Sequence, residues 1–183
     1  MIKELPWIDE ARKHIGLKEN TSLNEHNPTF IKWLDKMGSY NNEAKAWWRN
    51  DEQAWCGLLT AICLGESGRY VVKEWYRAKE WQDEKMTQLA RPAYGCIAVI
   101  SRQGGGHVFF PVGKDQFGNI MGLGGNQSNM VNIMPFSRQR LVGATYWWPS
   151  VWRNGVAIKS SPLPDRYRLP LLTSDGRLST NEA

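Results

Sequence analysis

Cysteine is scarce in this chain: there are three, Cys56, Cys63 and Cys96, and no C-x-x-C pair among them. An odd count without that spacing excludes a disulfide scaffold and a zinc ribbon. Cys56 and Cys63 fall in what reads as one helix, two turns and roughly 10 Å apart at 1.5 Å per residue, which is beyond disulfide reach. Free thiols and synthesis in a reducing compartment are expected. Long apolar runs are also missing. The opening Met1 to Trp7 has none of signal-peptide length, and no stretch reaches membrane-spanning length, so no membrane insertion is expected. There is no dense Lys/Arg block and no nucleic-acid motif. The net charge of +5 and pI of about 9.2 are a mild basic bias, suited to approaching an anionic polymer, and no nucleic-acid partner is expected. No Gly-x-Ser-x-Gly elbow or P-loop occurs, and Gly104-Gly105-Gly106 is not followed by a helix, so it makes a poor phosphate cradle. No His/Cys/Asp/Glu cluster has ligand spacing, so neither a metal nor a cofactor is expected. Histidine is confined to three positions, His14, His26 and His107.

What is present is a chain of 183 residues with 42% hydrophobic residues and 10 Trp, enough for one sizeable core. Pro6 opens a helix that Gly16 stops, and Pro28 opens a second that Gly38 ends. A third runs from about Ala54 or Trp55 to Gly65. It is apolar nearly all round and therefore reads as a buried central helix. A further short helix is predicted over 72–81. After Pro92 the pattern turns to strands: 96–100, 107–112, 119–123, 129–133 and 141–147, with turns at Gly104-Gly105-Gly106 and Asp115-Gln116-Phe117-Gly118. These close successions favour antiparallel pairing. The reading is α+β, with N-terminal helices packed on a small antiparallel sheet over 1–149. Residues 150–183, with Pro162, Pro164 and Pro170, read as an extended C-terminal tail and not as a separate binding domain.

A cysteine nucleophile needs help to ionise, and the first turn of a helix supplies it through unpaired N–H groups and the macrodipole. Cys56 falls there. Cys63, deep in the same helix, and Cys96, inside a strand, read as packing thiols. A general base should be a histidine distant in sequence. His14, at a frayed helix end, and His26, in a polar loop, read as solvent-exposed. His107 opens a strand after three glycines, which let substrate approach closely. The imidazole needs an orienting group. Asn126, on the loop Gly124-Gly125-Asn126-Gln127, leads, and Gln127 is the alternative. An oxyanion hole would use the Cys56 backbone N–H plus one donor, Gln53 or Asn50, and the spacing leaves both open. Trp55, Gly105, Gly106 and Gln127 are candidates for lining a substrate groove.

Trp55-Cys56-Gly57, Cys96 to Ile100, Gly105-Gly106-His107-Val108 and Leu123-Gly124-Gly125-Asn126-Gln127-Ser128, in this order, resemble the CHAP and NlpC/P60-type cysteine peptidases, their phage-encoded branch in particular. The resemblance covers roughly Leu5 to Pro149. It implies a papain-like fold and hydrolysis of an amide bond in bacterial peptidoglycan, with Cys56 as nucleophile, His107 as base and Asn126 as orienting residue. Two positions depart from the pattern: Trp55 stands where many CHAP domains have Gln, and Gly124 where many have an acidic residue. The implied protein is a monomeric endolysin for host lysis. It would be made in the host cytoplasm without a leader and act on the wall after release. The alternatives are a secreted antibacterial effector with the same chemistry, and a non-catalytic wall-binding or virion module.

Overall fold

The computed structural model describes residues 3–19, 27–38, 55–102 and 104–179. Helices α1 (Pro6–Lys13) and α2 (Pro28–Met37) both begin on proline, whose missing N–H would be unpaired in the first turn anyway. Asn27 caps α2 by accepting from the Thr29 N–H at 2.9 Å. Helix α3 (Cys56–Glu66) is buried at every residue from Cys56 to Leu64, as its unbroken apolar sequence requires. The helix predicted over 72–81 is reduced to a 3-10 turn, Ala78–Trp81. Trp75 and Trp81 are both fully buried there. The Trp81 indole donates to the Trp75 carbonyl at 3.0 Å, a contact that an α-helix through both residues would not make.

Strands β1 (Thr87–Leu89), β2 (Ile97–Arg102), β3 (Gly105–Lys114), β4 (Ile120–Gly124), β5 (Asn132–Phe136) and β6 (Thr145–Trp148) form one six-stranded sheet in the order β1-β6-β2-β3-β4-β5. All five pairings are antiparallel, so the class is α+β. Several expectations need adjusting. Gly105 and Gly106 are ladder residues, with Arg102 opposite Gly105 and Ser101 opposite Gly106. The turn is left to Gly104, the one of the three at positive φ, 81°. The fourth predicted strand starts at Asn132 instead of 129, because the preceding loop is drawn into left-handed turns.

The sheet divides the core. On one side Val99, Val108, Phe110 and Leu123 pack with α1 and α3; on the other Ala98, Ile100, Phe109 and Phe136 form a smaller cluster. The period of two along β3 therefore sends Val108 toward the helices and His107, with Phe109, to the opposite face.

The segment read as an extended tail is structured and bonded to the domain. Strands β7 (Val151–Arg153) and β8 (Val156–Ile158) make a hairpin. Beyond it the backbone is tied at Tyr94 N–H to Arg166 C=O, 2.7 Å, and at Lys114 N–H to Pro170 C=O, 2.9 Å. Among the described residues no helix is long and apolar enough to cross a membrane.

Candidate active site

Cys56 is the first residue of α3, and three neighbours fix its position. Trp55, fully buried, wedges between Phe30, at 4.6 Å between ring centroids, and the backbone of Gly125. A Cβ at Gly125 would lie 2.5 Å from the Trp55 ring. The Trp55 indole also donates to Glu19. On the other flank, a Cβ at Gly57 would lie 2.0 Å from the Trp75 carbonyl oxygen, so only glycine lets that backbone cross the helix start. The Trp-Cys-Gly triplet is thus a wedge, a thiol and a close approach.

The Cys56 side chain is nearly buried, 2% exposed, and burial pushes its thiol up from the usual range. Four influences oppose this: a hydrogen bond from the Val108 N–H, the positive charge of Arg102, and the N–H groups of Gly57 and Cys56 itself. The helix start therefore offers the sulfur donors, as the sequence suggested, but desolvation outweighs them. Cys63 and Cys96 are fully buried thiols, both pushed up, the latter to about 12.

His107 lies one residue before the N–H that meets the thiol. It is fully buried and lies parallel to Phe109 and Phe136 at 5.7 and 5.9 Å. Its Nε2 is 3.1 Å from Gln127 Oε1. The amide of Gln127 cannot be turned round without loss, because its Nε2 donates to Gly122 C=O at 3.2 Å, Asn132 C=O at 3.0 Å and Asn132 Oδ1 at 2.8 Å. Oε1 must therefore be the atom facing the imidazole, and it can only accept. A proton is thus assigned to Nε2 of His107. Asn132 completes the clamp by donating from its side chain to the Gln127 C=O at 2.9 Å.

The loop that presents Gln127 is contorted. Asn126, Ser128 and Asn129 all have left-handed backbone, φ 57°, 54° and 58°. Three such non-glycine residues in four carry a cost, on the order of 1–2 kcal/mol each and less for Asn, and pack around one buried side chain. Such strain gathers where a geometry has to be held.

The sequence candidates thus fall into groups. Cys56, Gly105 and Gly106 border one cavity of about 380 Å³, which Arg77, Lys79 and Arg102 also line. His107 and Gln127 are hydrogen-bonded to each other. Asn126 is buried in the same loop, and the structure gives the imidazole contact at Nε2 to Gln127. Trp55 and Gln127 are fully buried. Gln53, Asn50 and His26 lie outside the described residues. Asn132 and Arg102 were not singled out from sequence. The run Asn126-Gln127-Ser128-Asn129, rich in residues that tolerate left-handed backbone, was the available sign of a contorted loop. Among the described residues no group of three or more His, Cys, Asp or Glu could hold a metal ion.

Comparison with family models, with curated proteins and with solved structures finds no match.

Proposed function

We propose that this protein is a cysteine hydrolase with a papain-like arrangement, cutting an amide bond of bacterial peptidoglycan in the manner of a phage endolysin. The observation that carries the reading is the position of Cys56. It opens a buried helix, borders a cavity, and meets β3 at the residue after a histidine whose tautomer Gln127 holds. In this reading His107 takes the thiol proton as sulfur attacks the carbonyl and then protonates the departing amine, which requires its ring to leave the Phe109–Phe136 face of β3 for the face that carries Cys56. A thiol raised by burial fits proton transfer in step with attack better than a resting thiolate. The choice of peptidoglycan rests on the motif resemblance alone.

The test is digestion of purified peptidoglycan by the wild-type protein and by Cys56→Ala. New amino groups without new reducing sugar ends, lost in the variant, are expected. Reducing ends rising without amines would make the protein a glycan-cutting enzyme, since glycoside hydrolysis uses paired carboxyl groups.

A non-catalytic wall-binding module is the second reading. It is favoured by the packing of His107 on Phe109 and Phe136, on the face of β3 away from α3. Pelleting with peptidoglycan, undiminished in Cys56→Ala and without any fragment released by wild type, would establish it instead.

A further inference from the structure

Where the chain folds back after the β7–β8 hairpin it encloses a second cavity, of about 270 Å³. Among the described residues it shares no lining with the cavity beside Cys56. Its walls come from three distant stretches of chain. Glu4 precedes α1, Tyr94 stands ahead of β2, and Asp165, Arg166, Arg168 and Pro170 follow the hairpin. The stretches are bonded where they meet. The Tyr94 N–H donates to the Arg166 C=O at 2.7 Å, the Arg166 guanidinium to the Lys3 C=O at 2.6 Å, and the Tyr94 hydroxyl to Glu4 at 2.7 Å. The fold itself therefore holds the cavity in shape.

Glu4 and Arg166 are in use. Glu4 also pairs with Arg12 at 3.4 Å, and Arg166 lies over the Tyr94 ring at 5.5 Å. Asp165 and Arg168 are not: neither side chain has a hydrogen bond or ion pair, and Asp165 Oδ1 is buried. The two residues span the 3-10 turn Pro164–Tyr167, which the Arg168 N–H closes on the Asp165 C=O at 3.0 Å. Residues three apart in such a turn lie on one side of it. Two opposite charges thus line one cavity without meeting each other. A buried polar atom with no partner carries a cost and calls for a water or a ligand. A bare cation is opposed by the guanidinium groups of Arg166 and Arg168, and a simple anion by Asp165 and Glu4. A molecule that carries both charges satisfies both walls. The volume lies below the ~300–1,000 Å³ of sites for drug-sized ligands, so the molecule is small. The Tyr94 ring and Pro170 leave an apolar wall for a short side chain.

We propose that this cavity binds an α-amino-acid zwitterion, its ammonium against Asp165 and its carboxylate against Arg168. The site is additional to the one at Cys56, and the inference does not rest on the chemistry assigned there.

The experiment titrates the isotopically labelled full chain with free alanine, serine and glutamine, each in both enantiomers. The readout is the chemical shift of the Tyr94, Arg166 and Arg168 amides and of the Asp165 carboxyl carbon. At least one amino acid should move these signals together, with the millimolar Kd that suits so small a ligand. Its N-acetyl form lacks the ammonium and its α-amide lacks the carboxylate. Each should bind about tenfold more weakly, the factor of one charge-assisted contact. Asp165→Asn and Arg168→Gln should each weaken the free amino acid by about the same factor. Both variants should keep a Tm near wild type, since neither side chain has a partner to lose. No shift with any of the amino acids would mean that water alone serves Asp165, and overturns the proposal. Equal binding of the free and blocked forms overturns it too, as does unchanged binding in the folded variants. Should a variant fail to fold, the comparison of free and blocked ligands on wild type decides. Peptidoglycan digestion enters none of these readouts, so the outcome is separate from that of the hydrolase reading.

Discussion

Replacing Gln127 by Ala removes a side chain whose oxygen faces His107 Nε2 and whose two amide hydrogens are shared among Gly122 C=O, Asn132 C=O and Asn132 Oδ1, three bonds in effect. At about 0.5–1.5 kcal/mol net for each, the loss is ~1.5–4.5 kcal/mol. Asn132 lies partly exposed, so water can reach its groups, and the lower half of that range is expected. For a domain of this size, where 1 kcal/mol moves Tm by about 2–4 °C, Tm should fall by ~3–12 °C. The protein should still fold, and the tautomer of His107 can then be read directly. Long-range proton–nitrogen correlation should show the wild-type ring protonated at Nε2. In Gln127→Ala the ring should lose that single form. On the cysteine-hydrolase proposal, turnover on peptidoglycan should drop about a hundredfold with KM little changed, because the lost group would act on the proposed base and not on the substrate. A wild-type ring protonated at Nδ1 would refute the assignment. So would a folded Gln127→Ala variant with unaltered turnover and an unaltered ring. Asn126→Ala is the companion variant: a larger loss of turnover there than in Gln127→Ala would move the orienting role to Asn126.

Alkylation of Cys56 should climb through the alkaline range, because burial holds its thiol above the ordinary value and the protonated form persists at neutral pH. Rates that are already flat from pH 6 upward would mean a preformed thiolate–imidazolium pair. Cys63→Ala and Cys96→Ala should cost stability, typically ~1 kcal/mol, and leave digestion per folded molecule unchanged. Gly57→Ala should destabilise by about 1–3 kcal/mol through overpacking, since its Cβ would land 2.0 Å from the Trp75 carbonyl oxygen. A wild-type Tm for it would mean that the Trp75 backbone does not cross the helix there. The Asp115 carboxylate is pushed up by desolvation, but hydrogen bonds from Asn119 and the Phe117 N–H win and hold it below the usual range. Its stabilisation is therefore present above the unfolded Asp value of about 3.9 and lost as pH falls through the lower folded value. Asp115→Asn should flatten the acid limb of the Tm–pH curve, and an unchanged limb would show that other carboxylates govern it.

Where local chemistry decides, the sequence was readable. Pro6 and Pro28 mark the starts of α1 and α2, and the unbroken apolar run marks α3, each within two residues of the structure. Where pairing decides, it was not. The triplet Thr87-Gln88-Leu89 becomes a strand because Thr87 meets Trp148, far along the chain, and nothing local announces it. Gly105 and Gly106 read as turn residues by composition, yet the ladder with β2 keeps them extended. The site divides in the same way. Residue type and position on an element singled out Cys56 and His107. The choice between Asn126 and Gln127 depends on three left-handed residues, and the β4–β5 pairing imposes those turns. Asn132 was invisible for that reason, and Arg102 because a lone arginine at a strand end carries no signal until the cavity is seen.

The hairpin after β6 has a consequence for how the molecule is made. The Arg69 backbone bridges Val151, Tyr70 N–H donates to Ser150 C=O at 2.9 Å, and Trp152 N–H donates to Gly68 C=O at 2.9 Å. These bonds fasten the exit of the helix whose entrance holds Cys56. During vectorial synthesis the helix emerges well before its fastening does. At ~5–20 residues per second, residues 67–152 take about 4–17 s to add. Through that interval the nascent chain carries the Cys56 helix with its far end not yet latched.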